Sequence, residues 1–186
     1  IAVVHKVWEA VGGRVQLVVD PNRGMTAADA KRLCLSCSDI PFALEQPCRT
    51  MEEVRSIRSQ IPHPLILDEC LEGLNDVLRA IAMDACDGFG LKITRLGGLN
   101  ATATVRDICA ARSLPHTIED SWGGDITTAA IAHLAHSTPT PLGPWNLCAA
   151  RVSRSHPAVK TLTGSVPSAC VASRCKRTFG RSRGSG

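Results

Sequence analysis

The feature that most constrains this chain is a pattern repeated five times: a short apolar run that closes on an ionisable residue, a turn, then an amphipathic helix. Apolar runs at 15–19, 40–44 and 64–67 end at Asp20, Glu45 and Asp68; the run at 88–93 carries Lys92, and the run at 115–118 ends at Glu119-Asp120. Helical spacing of apolar residues follows each run, at 26–37, 51–60, 74–84, 101–111 and 126–135. Residues 1–11 have the same spacing and stop at Gly12-Gly13, as the last turns of a helix do. Strand-helix alternation of this kind implies a parallel sheet with right-handed crossovers.

The polar residues choose between an open sheet and a barrel. Asp20, Glu45, Asp68 and Lys92 succeed one another at intervals of 25, 23 and 24 residues, each at the C-terminal end of its strand. A ring of ionisable side chains at successive strand ends is the active-site layout of a (β/α)8 barrel. A dinucleotide-binding fold would need a Gly-rich turn after its first strand, and Asp20-Pro21-Asn22-Arg23-Gly24 is not one.

Composition supports this. Of 186 residues 44% are hydrophobic, with three Trp, three Phe and no Tyr, so the core falls to Ala, Val, Ile and Leu, as in helix-covered parallel sheets. So few aromatics argue against a base-stacking platform, and no nucleic-acid partner is expected. The net charge of +4 conceals a split. All 17 acidic residues and 13 of the 21 Lys and Arg lie within residues 1–125, giving 13 − 17 = −4, and the remaining 61 residues carry eight basic residues and no acid. Helical periodicity stops near Ser137. The expected organisation is a barrel-type domain over 1–136 and a low-complexity basic tail over 137–186, whose Ser, Pro and Gly content favours disorder.

The nine cysteines are scattered through apolar periodic segments, which suits reduced core thiols. Cys34-x-x-Cys37 reads as two positions of a helix, because no second pair stands at metal-finger spacing. No apolar stretch is long enough to cross a membrane and no signal-peptide pattern opens the chain, so a cytoplasmic protein without membrane partners is expected.

Three carboxylates on consecutive strand ends repel one another unless a cation sits among them. An oxygen-only set without His or Cys suits Mg2+. Lys92, inside an apolar strand at the mouth, is expected to lose its proton more easily than in water and to act as a base toward a proton α to a carboxylate. Glu69 is expected to hold Lys92. Asn22, Asp120 and Trp122 are candidates for the substrate side.

Asp20-Pro21-Asn22, Glu45-Gln46-Pro47, Asp68-Glu69 and Lys92-Ile93-Thr94-Arg95-Leu96-Gly97-Gly98 together resemble the enolase superfamily, in its mandelate racemase and muconate lactonizing enzyme branch. The resemblance covers about residues 1–136 and implies a partial (β/α)8 TIM-type barrel, about strands three to seven. It implies that Asp20, Glu45 and Asp68 bind Mg2+ and that Lys92 is an acid/base. Residues 107–116 with 120–125 are similar to hydroxyproline dehydratases of this branch. The implied reaction removes the α-proton of a small amino-acid carboxylate and then expels the β-hydroxyl as water; a racemase or epimerase of the same superfamily is the neighbouring alternative. Family members are homo-oligomers. The family's capping domain, second-strand lysine motif and eighth strand find no counterpart in these residues. The opposing expectation is therefore a truncated relative with metal ligands and one base but no complete site.

Overall fold

The structure is a computed structural model that describes residues 1–119, 124–138, 150–151 and 168–172. Helix α1 (Ala2–Val11) leads into β1 (Gln16–Asp20), α2 (Ala27–Ser36), β2 (Phe42–Glu45), α3 (Met51–Ile57) and β3 (Leu65–Leu67). There follow α4 (Leu74–Ala82), β4 (Gly88–Lys92), α5 (Ile93–Leu96), α6 (Leu99–Ala111), β5 (His116–Glu119) and α7 (Asp125–His136). The sheet is parallel throughout, and β1 to β5 lie side by side in chain order, the topology of part of a (β/α)8 barrel. Within the segment read as a tail, β6 (Ala150–Arg151) pairs with β5 and β7 (Ser168–Ala172) pairs with β1.

Local chemistry explains the boundaries. The Thr26 hydroxyl accepts the Asp29 N–H at 3.2 Å, which starts α2. Thr50 and Glu53 form a full capping box at the start of α3. The strand expected over 88–93 ends one residue early. A single helical turn, α5, follows Lys92 at once because Gly97 and Gly98 adopt φ of 94° and 100°, letting the Gly98 N–H donate to the Ile93 carbonyl at 2.8 Å.

Alternation along each strand sorts the side chains onto two faces. Leu17, Val19, Phe42, Leu44, Leu65, Leu67, Phe89, Leu91 and Ile118 belong to the main core, shared with helix residues such as Leu33, Val54, Val77 and Val105. Val18, Ala43 and Ile66 form a small separate cluster on the other face. Asp20, Glu45, Asp68, Lys92 and Glu119 stand two residues beyond Val18, Ala43, Ile66, Gly90 and Thr117, so the same two-residue period places all five ionisable groups on the face opposite the helix-packed core.

Cys34 lies in α2 and Cys37 caps its end; both are free and buried. Burial pushes the Cys34 thiol up to about 12, and the nearby Cys37 adds to the rise. Among the described residues no helix is long and apolar enough to cross a membrane.

Candidate metal and acid/base site

At the C-terminal ends of β2, β3 and β5, Glu45, Asp68 and Glu119 each offer a carboxylate oxygen within 4.8 Å of the others. All three are buried, with 2%, 2% and 5% of their surfaces exposed. The register places Lys92 beside Glu119. Its ammonium pairs with Asp68 Oδ2 and stands 3.7 Å from Glu119 Oε2. One turn later Arg95 Nη1 donates to Asp68 Oδ1 at 2.5 Å, while the Thr117 hydroxyl donates to Glu119 Oε1. Gly90 makes the crowding possible: a Cβ there would lie 3.3 Å from Glu119 Oε1 and 3.5 Å from the Asp68 Cβ.

The structure redistributes several expected roles. Glu119 joins Glu45 and Asp68 in the tight cluster, a place the sequence reading assigned to Asp20. Asp20 closes β1 and its Oδ1 accepts the Asn22 N–H at 2.9 Å. Asn22 itself is exposed, with φ of 50°, and its amide donates back to the Asp20 carbonyl at 3.3 Å, so its described contacts are those of a turn. Asp120 and Trp122 lie outside the described residues. Lys92 departs from expectation in sign. Burial alone would lower its affinity for a proton, but the carboxylates of Asp68 and Glu119 outweigh that, and the net effect holds the ammonium above its ordinary range. Its ion-pair partners are these two residues rather than Glu69. Glu69 is instead pushed up by burial, then by the charges of Asp68 and Asp20, with Lys92 opposing from a distance. Its Oε2 is buried without a hydrogen-bond partner.

Gln46 ties the strand ends together. It is fully buried at a φ of 32°, which a side-chain-bearing residue rarely adopts. Its Oε1 accepts the backbone N–H of Asp68 at 2.9 Å and of Cys70 at 3.3 Å, and its Nε2 donates to the Cys48 carbonyl at 3.0 Å. Its own carbonyl accepts the Arg23 N–H at 2.8 Å, so the loops after β1, β2 and β3 meet at one residue. Nothing in the sequence marked Gln46 or Arg95 beyond membership in the motifs. Glu119 had a signal, since it closes the fifth apolar run as Asp20, Glu45 and Asp68 close the first three.

The donor set fits a hard divalent cation. Three buried carboxylates meet within a few ångströms, no thiol or imidazole of the described residues joins their cluster, and the orphaned Glu69 oxygen is beside Asp68 in the chain. Glu45, Asp68 and Glu119 are the residues the structure offers as ligands.

A parallel strand-helix repeat whose inner face ends in buried carboxylates and a lysine defines a barrel-type α/β protein with a site suited to a divalent metal. Comparison with known proteins gives the family. A profile described as enolase C-terminal domain-like matches residues 1–156, and the chain belongs to the enolase superfamily, in its mandelate racemase and muconate lactonizing enzyme branch. It is 50% identical over 124 residues to the cis-3-hydroxy-L-proline dehydratase of Roseibium aggregatum, an alignment covering 67% of this chain and 34% of that protein. It is 30% identical over 144 residues to the o-succinylbenzoate synthase of Geobacillus kaustophilus, covering 76% and 37%. Among solved structures, a mandelate racemase/muconate lactonizing enzyme from Roseovarius nubinhibens superposes with a TM-score of 0.68 at 35% identity, over 74% of this chain and 38% of that one. An enolase superfamily member from the same organism, complexed with magnesium, gives 0.73 at 29% identity over 82% and 41%. The chain thus spans little more than a third of the curated relatives it matches.

Proposed function

We propose that this chain carries the metal-binding and proton-transfer side of a Mg2+-dependent lyase that acts on a small amino-acid carboxylate of the hydroxyproline type and eliminates water. The observation that carries the reading is the meeting of Glu45, Asp68 and Glu119 with Lys92 at one end of the sheet. The 50% identity to a cis-3-hydroxy-L-proline dehydratase supports the substrate class.

Glu45 and Asp68 are common to the ligand set read from strand order and to the set the structure draws together; Asp20 and Glu119 compete for the third place. What a bound Mg2+ supplies here is positive charge that stabilises the negative charge developing on a substrate carboxylate and offsets the field that keeps Lys92 protonated. The chain's own residues do the rest. Lys92 Nζ, once neutral, takes the α-proton; Thr117 fixes one oxygen of Glu119, and Gln46 fixes the backbone of Asp68. Asn22, Asp120 and Trp122 remain proposed substrate-side residues and Glu69 a proposed positioning residue near Lys92. The free thiols among the described cysteines support a reducing, cytoplasmic setting.

The test is exchange at Cα of cis-3-hydroxy-L-proline in deuterated water, with Mg2+ calorimetry beside it. The parent is expected to bind Mg2+ and to exchange or dehydrate the substrate. Lys92→Ala is expected to stop exchange while leaving Mg2+ bound. Of Asp20→Asn and Glu119→Gln, the variant that loses Mg2+ binding identifies the third ligand. A parent that neither binds Mg2+ nor exchanges the proton overturns the reading. Exchange without water loss, with inversion at Cα, would favour a racemase.

A further inference from the structure

Asp68 is held by two cations at once. Lys92 occupies Oδ2 and Arg95 occupies Oδ1, and the carboxylate between them is 3% exposed. Both cations come from one turn: Lys92 ends β4 and precedes α5, and Arg95 stands three residues further on, which in a helical turn is the same face. Gly97 and Gly98 close that turn behind them. The arrangement follows from the Lys92-to-Gly98 motif rather than from chance contact of two long side chains.

A metal ion would compete with these two cations for the same carboxylate. A divalent ion at an Asp68 oxygen would be the third cation around one buried carboxylate, and charges at such range repel strongly where water is scarce. Displacing one of the resident cations relieves that repulsion and frees an Asp68 oxygen. Lys92 has Glu119 as a second partner at 3.7 Å, whereas Arg95, with a quarter of its side chain exposed, has a route to solvent.

We propose that Arg95 is the resident counter-ion of the metal-free site: it holds Asp68 in the ligand position until a divalent cation arrives, then releases it, and so sets the metal affinity by competition. The inference rests on the reading of Asp68 as a metal ligand. Arg95 is a positioning residue in this scheme, acting on the empty site. Without it, Lys92 would be the remaining ion-pair partner of Asp68 among the described residues, beside the buried carboxylates of Glu45 and Glu119, and the unloaded strand ends would be less stable.

The experiment measures binding and stability rather than turnover. Mg2+ is titrated by calorimetry, and Mn2+ by its electron paramagnetic resonance signal, into the full chain and into Arg95→Gln and Arg95→Lys. Thermal unfolding is followed in chelator and in saturating Mg2+. Arg95→Gln is expected to bind metal about tenfold tighter, the scale of one charge-assisted hydrogen bond removed from the competition. It is expected to melt below the parent in chelator and level with it in Mg2+. Arg95→Lys, with a single weaker contact, is expected to bind about threefold tighter and serves if Arg95→Gln does not fold. Unchanged or weaker binding in the variants, with the parent binding Mg2+ normally, overturns the counter-ion role and leaves the metal site standing. Equal destabilisation with and without Mg2+ also overturns it. Absence of binding by parent and variants alike removes the metal reading and this inference together.

Discussion

The two ends of the sheet hold similar residues and use them differently. At the N-terminal end, Arg58 is held between Asp84 and Asp87, Asp87 Oδ2 accepts the Leu65 N–H at 2.8 Å, and the rings of His63 and His116 each meet a backbone carbonyl, of Ile40 and Leu114. These contacts join loop to strand and tie each charge to an opposite one or to the backbone. At the C-terminal end, three buried carboxylates crowd together, and two of them, Asp68 and Glu119, pair with cations that come from one turn. The first arrangement sets each charge against an opposite one and each ring against a carbonyl, although His63 Nδ1 and His116 Nε2 stay buried without a hydrogen-bond partner. The second keeps groups of like charge in contact, which stability alone does not require, and in barrels that end is where chemistry is done.

The largest break in this contrast is expected from Asp68→Asn. The amide keeps the shape but removes the charge shared by Lys92 and Arg95, leaving the half-buried Lys92 to Glu119 and taking from the half-buried Arg95 its described ion-pair partner. A loss of about 3 kcal/mol in folding stability is expected in chelator, measured by urea denaturation. Mg2+ binding in calorimetry should fall by about a hundredfold or more, since a ligand and not merely its support is lost. Retention of parent affinity would show that the cluster is a structural ion-pair network like the one around Arg58.

Gln46→Leu is expected to have the next effect. The backbone N–H groups of Asp68 and Cys70 lose their acceptor in a buried place, at a cost of about 2 kcal/mol. Metal affinity should fall about tenfold, as when an outer-shell partner of a ligand is removed. Gln46→Glu, which keeps the acceptor, should recover part of the affinity, a rescue that a purely space-filling role would not show.

Gln46 also marks the limit of what the sequence could tell. The strand ends were legible because apolar period, turn residues and ionisable residues coincide at Asp20, Glu45, Asp68 and Lys92, each pointing to the same boundary. The face they share follows from the two-residue period alone. What was not legible depends on bonds across strands. The positive φ of Gln46, its reach to the loop after β3, and the convergence of Lys92 and Arg95 on one carboxylate are products of register, which no single segment encodes. The direction of the Lys92 shift failed for the same reason: burial was readable from its apolar neighbours, whereas the proximity of Asp68 and Glu119 that outweighs it was not.

The smallest effect is expected at the quiet end of the sheet. The His116 Nδ1–H donates to the Leu114 carbonyl at 3.0 Å, which leaves Nε2 as a buried acceptor without a partner. Protonating Nε2 would bury an unsatisfied charged donor, so burial holds the imidazole below its ordinary value of 6.5, and the same cause acts on His63. The sign of the linkage follows. Well above pH 6.5 neither the folded nor the unfolded imidazole is protonated and stability is unaffected; as the pH falls through that value, the unfolded chain takes up protons that the folded chain refuses, and stability drops. Denaturant midpoints measured from pH 7.5 to 5 should therefore decline, and His116→Gln should flatten part of that slope while leaving Mg2+ affinity at pH 7.5 unchanged. A slope that persists in full in His116→Gln would place the pH sensitivity elsewhere. A change in Mg2+ affinity at pH 7.5 would show that the two ends of the sheet are coupled and not, as their separate partners indicate, independent.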